Sequence, residues 1–409
     1  MGGLVLKAYE RLLEYVKINT QSDGNSGTHP SFCGQFDLAK RLKAELEEMG
    51  LSASLDDKCY LFAKLPATKG YGDRPVIGFI AHMDTSPDYS GKDVHPVIHT
   101  DYDGGDVKYP DGKIMKVSAF PHLSRLKGET LITSDGTTLL GADDKSGVSE
   151  IMTALETVIR EGMAHGGISV AFTPDEEIGE GADNFDVEGF GADYAYTVDG
   201  SDVNEIEYEN FNAADARLEI RGVSVHPGYA KEVMINAINV AHDFHAMLPE
   251  NMRPERTQGR EGFFHLTDIS GNCSSASLRY IIRDHDRQKF EDMKALFQKC
   301  ADRVNEKYGE GVARALVTDS YYNMIEKIRP HMQLVDIAKK AIEDVGLVPE
   351  EVPIRGGTDG ARLSYMGLPC PNLGTGGFNF HGPFECITAE RMDRATQVIL
   401  GIIRRFADF

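Results

Sequence analysis

The chain has 409 residues, 41% of them hydrophobic and 26% charged, with a formal net charge of −21 at pH 7. That length exceeds one comfortable hydrophobic core, so two domains are expected. The acidic balance excludes nucleic acid and anionic membrane as partners, because both demand clustered Lys and Arg.

Met1-Gly2-Gly3-Leu4-Val5-Leu6-Lys7, followed by Glu10-Arg11, lacks a signal-like apolar core, and no stretch reaches the roughly 20 apolar residues of a membrane span. A cytoplasmic location is expected. Residues 4–18 and 34–49 carry the spacing of amphipathic helices, the second stopped by Gly50. Segments 58–65 and 75–81 read as strands. Residues 86–130, rich in Gly, Asp, Pro and His, read as a long excursion of the kind that often covers a site. From Lys145 to Arg160 the apolar positions Val148, Ile151, Met152, Leu155, Val158 and Ile159 give a helix with one buried face. Ile168–Thr173 and Tyr194–Val198, like Pro75–Ala81, are continuous apolar runs suited to strands buried on both faces of a parallel sheet. After Asp199 the character changes to alternation at Ala214, Ala216, Leu218 and Ile220. Strands 212–222, 263–270, 275–284 and 312–320, with helices 230–248 and 286–308, follow the β-α-β-β-α-β order of a ferredoxin-like unit. Thus 210–321 is expected to be a domain inserted into one formed by 1–209 and 322–409. A helix at 330–345, strands near 351–354 and 370–374, and a helix at 388–407 complete the chain. The insertion falls between Asp199 and His381, so the small domain is expected to overhang a hinged cleft.

Five clusters carry the chemistry: His82-Met83-Asp84, Asp143-Asp144-Lys145, Asp175-Glu176-Glu177, Asp199 and His381. Sites in open α/β sheets form beyond the carboxyl ends of strands, so these distant clusters can converge. Two histidines with several carboxylates make a ligand set for Zn, Mn or Co. The six cysteines show no C-x-x-C pair and read as reduced thiols. His82 and Asp84, two residues apart, point the same way, and metal-bound histidines generally keep a carboxylate partner. Asp144 reads equally as a helix cap, whereas Asp143 is the stronger ligand, and its two oxygens can bridge two ions. Glu176 and Glu177 point opposite ways on an extended chain, so one can bind metal while the other accepts a proton. Asp199 precedes a glycine, also a turn signal.

The motifs Ala81-His82-Met83-Asp84-Thr85, Gly141-Ala142-Asp143-Asp144-Lys145-Ser146-Gly147, Pro174-Asp175-Glu176-Glu177-Ile178-Gly179 and Asn379-Phe380-His381-Gly382 resemble those of the dizinc exopeptidases of family M20. All five clusters occur in order, over essentially the whole chain. The resemblance implies an α/β fold with a mixed sheet flanked by helices and an inserted ferredoxin-like lid. It implies two zinc ions per subunit, with Mn or Co as substitutes. His82, Asp143 and Asp199 would hold one ion, and Asp143, Glu177 and His381 the other. Asp84 would orient His82, and Glu176 would be the general base. The implied activity is removal of the N-terminal residue from tripeptides, with a homodimer formed through the inserted domain. His226, before Pro227 and Gly228, resembles the family's lid histidine, a donor to the reaction's oxyanion; by itself it is also a turn histidine. Arg283 can grip a peptide's terminal carboxylate bidentately, or pair with Asp284 or Asp286. Gly356-Gly357-Thr358-Asp359-Gly360 reads as a tight turn lining the cleft.

Other readings remain. An aminoacylase or acyl-diaminopimelate hydrolase of the same family would keep every metal cluster. An inactive metal-binding scaffold is disfavoured by the intact Glu176 and Asp84. A nucleic-acid-binding role for the ferredoxin-like unit lacks a basic, aromatic sheet face.

Overall fold

The computed structural model describes residues 5–408, which form two compact units. The larger takes in the chain to Tyr208, then Glu326–Val352 and the segment from Thr358 onward. The smaller holds Glu209–Ile325 together with Pro353–Gly357.

An eight-stranded mixed sheet organises the larger unit, in the order Ser52–Leu55, Leu61–Leu65, Ile168–Thr173, Ile77–His82, Tyr194–Gly200, Asn372–Gly374, Glu205–Glu207, Glu350–Glu351. Ile77–His82 runs parallel to both its neighbours, and Asn372–Gly374 runs parallel to Tyr194–Gly200. The four central strands therefore end on one edge, with His82 level with Thr173. Every residue of Ile77–His82 and Ile168–Thr173 is buried, which is why these runs show no polar alternation. Helix Ala142–Glu161 packs on Ile77–His82 and Tyr194–Gly200, flanked by helices Ala8–Tyr15 and Ala389–Ala407. Ile80, Ala171 and Ala195 pack instead with Phe190 and Leu363, from the short helices Val187–Phe190 and Asp359–Tyr365.

The excursion after the first cluster contributes Val97–His99 and Leu131–Thr133 to a second, four-stranded sheet with Cys386–Thr388 and Gly377–Phe378. Gly377–Phe378 and Cys386–Thr388 pair antiparallel, so residues 379–385 form a hairpin loop, and this loop carries His381.

In the smaller unit the antiparallel order is Phe263–Gly271, Ser275–Asp284, Asn212–Arg221, Ala313–Tyr321, the ferredoxin-like arrangement. Ala214, Ala216, Leu218 and Ile220 meet Phe244, Phe290 and Phe297 of helices Ala237–Met247 and Arg287–Tyr308. The first of these helices starts later than its apolar spacing predicts. Pro227 opens a separate short turn, and Asn236 then caps the helix by accepting the Ile238 N–H at 3.0 Å. The elements that escape the sequence reading include the edge strand Ser52–Leu55, the short strands Glu205–Glu207 and Cys386–Thr388, and helices Val187–Phe190 and Asp359–Tyr365. Among the described residues no helix is long and apolar enough to cross a membrane.

Candidate metal centre

At the shared edge of the central strands the structure brings together five of the sequence-predicted residues as two trios that share Asp143: His82, Asp143 and Asp199, and Asp143, Glu177 and His381. His82 Nε2 lies 3.0 Å from Asp143 Oδ1 and 3.3 Å from Asp199 Oδ1. His381 Nε2 lies 3.3 Å from Asp143 Oδ2 and 2.9 Å from Glu177 Oε2. Donors arranged tetrahedrally at about 2.0–2.2 Å from one zinc stand roughly 3.3–3.6 Å apart, close to these spacings. Asp143 thus turns one oxygen to each trio.

Three loops deliver these side chains. His82 closes its strand. Asp143 precedes the helical turns of Ala142–Glu161, with φ −85° and ψ 104°. Glu176 and Glu177 open a short 3-10 turn after Asp175, which holds a left-handed φ of 55°. Asn379 and His381 are also left-handed, at 59° and 64°. Non-glycine residues rarely accept that conformation, and such strain concentrates at functional sites.

Carboxylates outside the trios pin these loops. Asp84 is fully buried, and its carboxylate lies 3.3 Å from His82 Nδ1. The same group accepts the Glu176 N–H at 3.0 Å and the Glu177 N–H at 3.2 Å. Asp144 caps the helix through the Gly147 N–H at 3.1 Å and also accepts the His82 N–H at 3.1 Å. A Cβ on Gly147 would stand 1.9 Å from the Val198 carbonyl, so only glycine lets this helix approach the strand that carries Asp199. Asp175 accepts from Ser31 N–H at 2.6 Å and Gln35 Nε2 at 2.7 Å, fixing the base of the Glu176–Glu177 turn. Glu385 accepts the Leu140, Gly141 and Asp143 N–H groups. The sequence reading singled out neither Asp175 nor Glu385 for such a role. A lone glutamate four residues past His381 carries no periodic or motif signal.

Charge decides what this cluster wants. Two imidazoles face Asp84, Asp143, Glu176, Glu177 and Asp199. Burial opposes a charge on His82, yet Asp199, Asp143 and Asp84 hold its pKa well above the ordinary value. Asp143 and Glu177 raise His381 to about 11. Burial and the Asp143 charge raise Glu177 to about 8, and burial lifts Asp199 to about 6. Burial, then Asp199, holds Glu176 well above the carboxylate range. Glu177 Oε1 is buried without a hydrogen-bond partner. Crowded carboxylates, an orphaned ligand oxygen and no thiolate fit a hard or borderline divalent cation. His381 is the most open of the set, its side chain 43% exposed against 2% for His82.

His226 and Arg283 belong to the smaller unit. His226 Nδ1 accepts the Gly228 N–H at 3.1 Å, so the ring does cap its own turn. Arg283 makes no ion pair with Asp284 or Asp286. Its Nη1 donates to the Arg355 carbonyl at 2.9 Å, its Nε is buried without a partner, and the guanidinium lies 5.9 Å from the Phe263 and Tyr321 ring centres. Gly356 and Gly357 belong to this unit, whereas Thr358 and Asp359 begin the next helix of the larger one.

The fold and the paired trios define a metallopeptidase of the M20 type. Residues 208–312 match the peptidase dimerisation domain. The chain is 56% identical over 401 residues to peptidase T of Clostridium novyi, covering 97% of this chain and 98% of the relative. The chain belongs to the peptidase T family. Its fold is similar to aminopeptidase PepT from Bacillus cereus (24% identity, TM-score 0.79, 98% of both chains) and to a tripeptidase from Staphylococcus aureus (22% identity, TM-score 0.80, 100% of both chains).

Proposed function

We propose that the chain removes the N-terminal residue of tripeptides at a centre of two zinc ions, for which Mn or Co can substitute. The observation that carries this reading is Asp143, whose two oxygens each face a histidine and a further carboxylate. His82, Asp143 and Asp199 would hold one ion, and Asp143, Glu177 and His381 the other. Bound metal supplies Lewis acidity, which makes water a nucleophile near neutral pH and polarises a carbonyl.

The chain's own residues do the rest. Glu176, whose carboxyl has no hydrogen-bond partner among the described residues, takes the proton of the attacking water and returns one to the leaving amine. Asp84 holds the His82 ring and the backbone of the Glu176 turn in one geometry. Because His226 Nδ1 accepts a backbone N–H, its other ring nitrogen carries the proton, and it donates that proton toward the tetrahedral oxyanion. Arg283, which has no acid partner among the described residues, grips the peptide's terminal carboxylate, which limits substrate length. The dimerisation-domain match supports a homodimer through the smaller unit, and a cytoplasmic location is part of the same proposal.

A substrate panel tests the reading with zinc-loaded protein. Tripeptides are expected to lose their first residue while dipeptides and N-acyl amino acids survive. The reverse pattern would make the chain an amidohydrolase of another branch.

A further inference from the structure

We infer that Glu385 is a positioning residue for the metal centre, acting through the bridging Asp143. Its side chain is 1% exposed and lies in the hairpin loop that also carries His381. One carboxylate oxygen accepts the Leu140 and Gly141 N–H groups at 2.7 and 2.8 Å, and the other accepts the Asp143 N–H at 2.9 Å. These three donors lie just before the helical turns of Ala142–Glu161, where backbone N–H groups have no carbonyl partner within the helix. A buried carboxylate satisfies three at once, and charge-assisted bonds of this kind are short and directional.

The consequence is geometric. Asp143 is aimed by the backbone on its N-terminal side, and that backbone is held by the loop that presents His381. Two ligands of one trio therefore move as a unit. The clamps form a chain: Glu385 of the last cluster pins the Asp143 loop, Asp144 of the second pins His82, and Asp84 of the first pins the Glu176–Glu177 turn. The trio of Asp143, Glu177 and His381 depends on both sides of the Glu385 clamp, while the trio of His82, Asp143 and Asp199 depends on one side alone.

This inference rests on the two-metal reading, and its test separates the two. Metal-free wild-type protein and Glu385→Gln are titrated with Co(II) against a chelator, following the number of ions bound, each affinity and the visible absorption of the cobalt. An amide keeps the size but turns an N–H toward backbone N–H groups. Wild type is expected to bind two ions, and the variant to bind both more weakly, one by about 10–100-fold and the other by clearly less, with altered cobalt absorption. If wild type binds two ions and the variant matches it at both, Glu385 has no positioning role and the metal reading stands. If wild type binds fewer than two ions, that reading falls first. Equal weakening at both positions would reduce Glu385 to a general structural part and overturn the inference. Should Glu385→Gln not fold, Glu385→Asp keeps the charge and draws it back by one methylene. Its weaker site is then expected to be the one with His381, and wild-type affinity at both would overturn the inference.

Discussion

Asp84→Asn is the substitution through which the geometry speaks most sharply. One fully buried carboxylate stands 3.3 Å from His82 Nδ1, which also meets the Asp84 backbone carbonyl at 3.1 Å, and accepts the Glu176 N–H at 3.0 Å and the Glu177 N–H at 3.2 Å. Oδ1 faces both the His82 ring and the Glu176 N–H and Oδ2 takes the Glu177 N–H, so the NH2 group of an asparagine must face the Glu177 N–H or the other two together. Hydrogen bonds to charged groups contribute about 1.5–3 kcal/mol, and a buried donor left unpaired costs about 1–3 kcal/mol. Losing one such bond and stranding one donor should together cost the metal-free protein about 2.5–6 kcal/mol of stability. Loss of the carboxylate behind a ligand histidine typically weakens metal binding about 10–100-fold. Urea unfolding of the metal-free protein measures the first effect, and chelator competition with zinc the second. A variant that stays within about 0.5 kcal/mol of wild type, the range of an ordinary surface change, and keeps its zinc affinity would refute the reasoning.

Glu176→Gln keeps the size of the base but cannot accept a proton, so turnover should fall about 10²–10⁴-fold with zinc content unchanged; undiminished turnover removes Glu176 from the mechanism. His381, raised to about 11, and Glu177, raised to about 8, must shed protons before they can ligate. Metal affinity should therefore rise with pH between roughly 6 and 8, with protons released in calorimetry; affinity flat across that window would contradict the account. Glu150 lies buried in helix Ala142–Glu161 with both carboxyl oxygens unpartnered, and burial holds its pKa well above the usual value. A carboxyl raised on folding costs nothing below its unfolded pKa and destabilises as pH climbs beyond it. Glu150→Leu should then gain about 1–3 kcal/mol at neutral pH and less in acid, whereas a loss in the unfolding curve would mean that the carboxyl has a partner.

What the sequence discloses follows from which signals are local. Runs such as Ile77–His82 and Ile168–Thr173 announce themselves because strands buried on both faces must be apolar throughout. The polar residues at their ends stand out for that reason, and His82, Glu177 and Asp199 are found there, whereas Asp143 and His381 are legible through their own motifs ahead of a helix and in a glycine-rich loop. The alternating strands of the smaller unit are equally plain, since one face is wet. Partnership across the chain is not local. Nothing in the spacing tells that Asp144 both caps a helix and holds the His82 backbone, or that Glu385 serves the Asp143 loop from 242 residues away. Ser52–Leu55 is a half-exposed edge strand, Ser-Ala-Ser-Leu, whose alternation spans only four residues with no β-branched or aromatic side chain, too little to stand out. Pro353–Gly357 joins the smaller unit although it lies far along the chain from the rest of it, through contacts such as Arg355 over Phe211 and Phe263. No composition change marks that return.

The most direct test is anomalous diffraction at the zinc edge from crystals of the zinc-loaded protein. Two peaks roughly 3.5–4 Å apart are expected, one among His82, Asp143 and Asp199 and one among Asp143, Glu177 and His381, with Asp143 touching both. A single peak, or zinc bound away from Asp143, would contradict the paired-ion centre on which the chemistry depends.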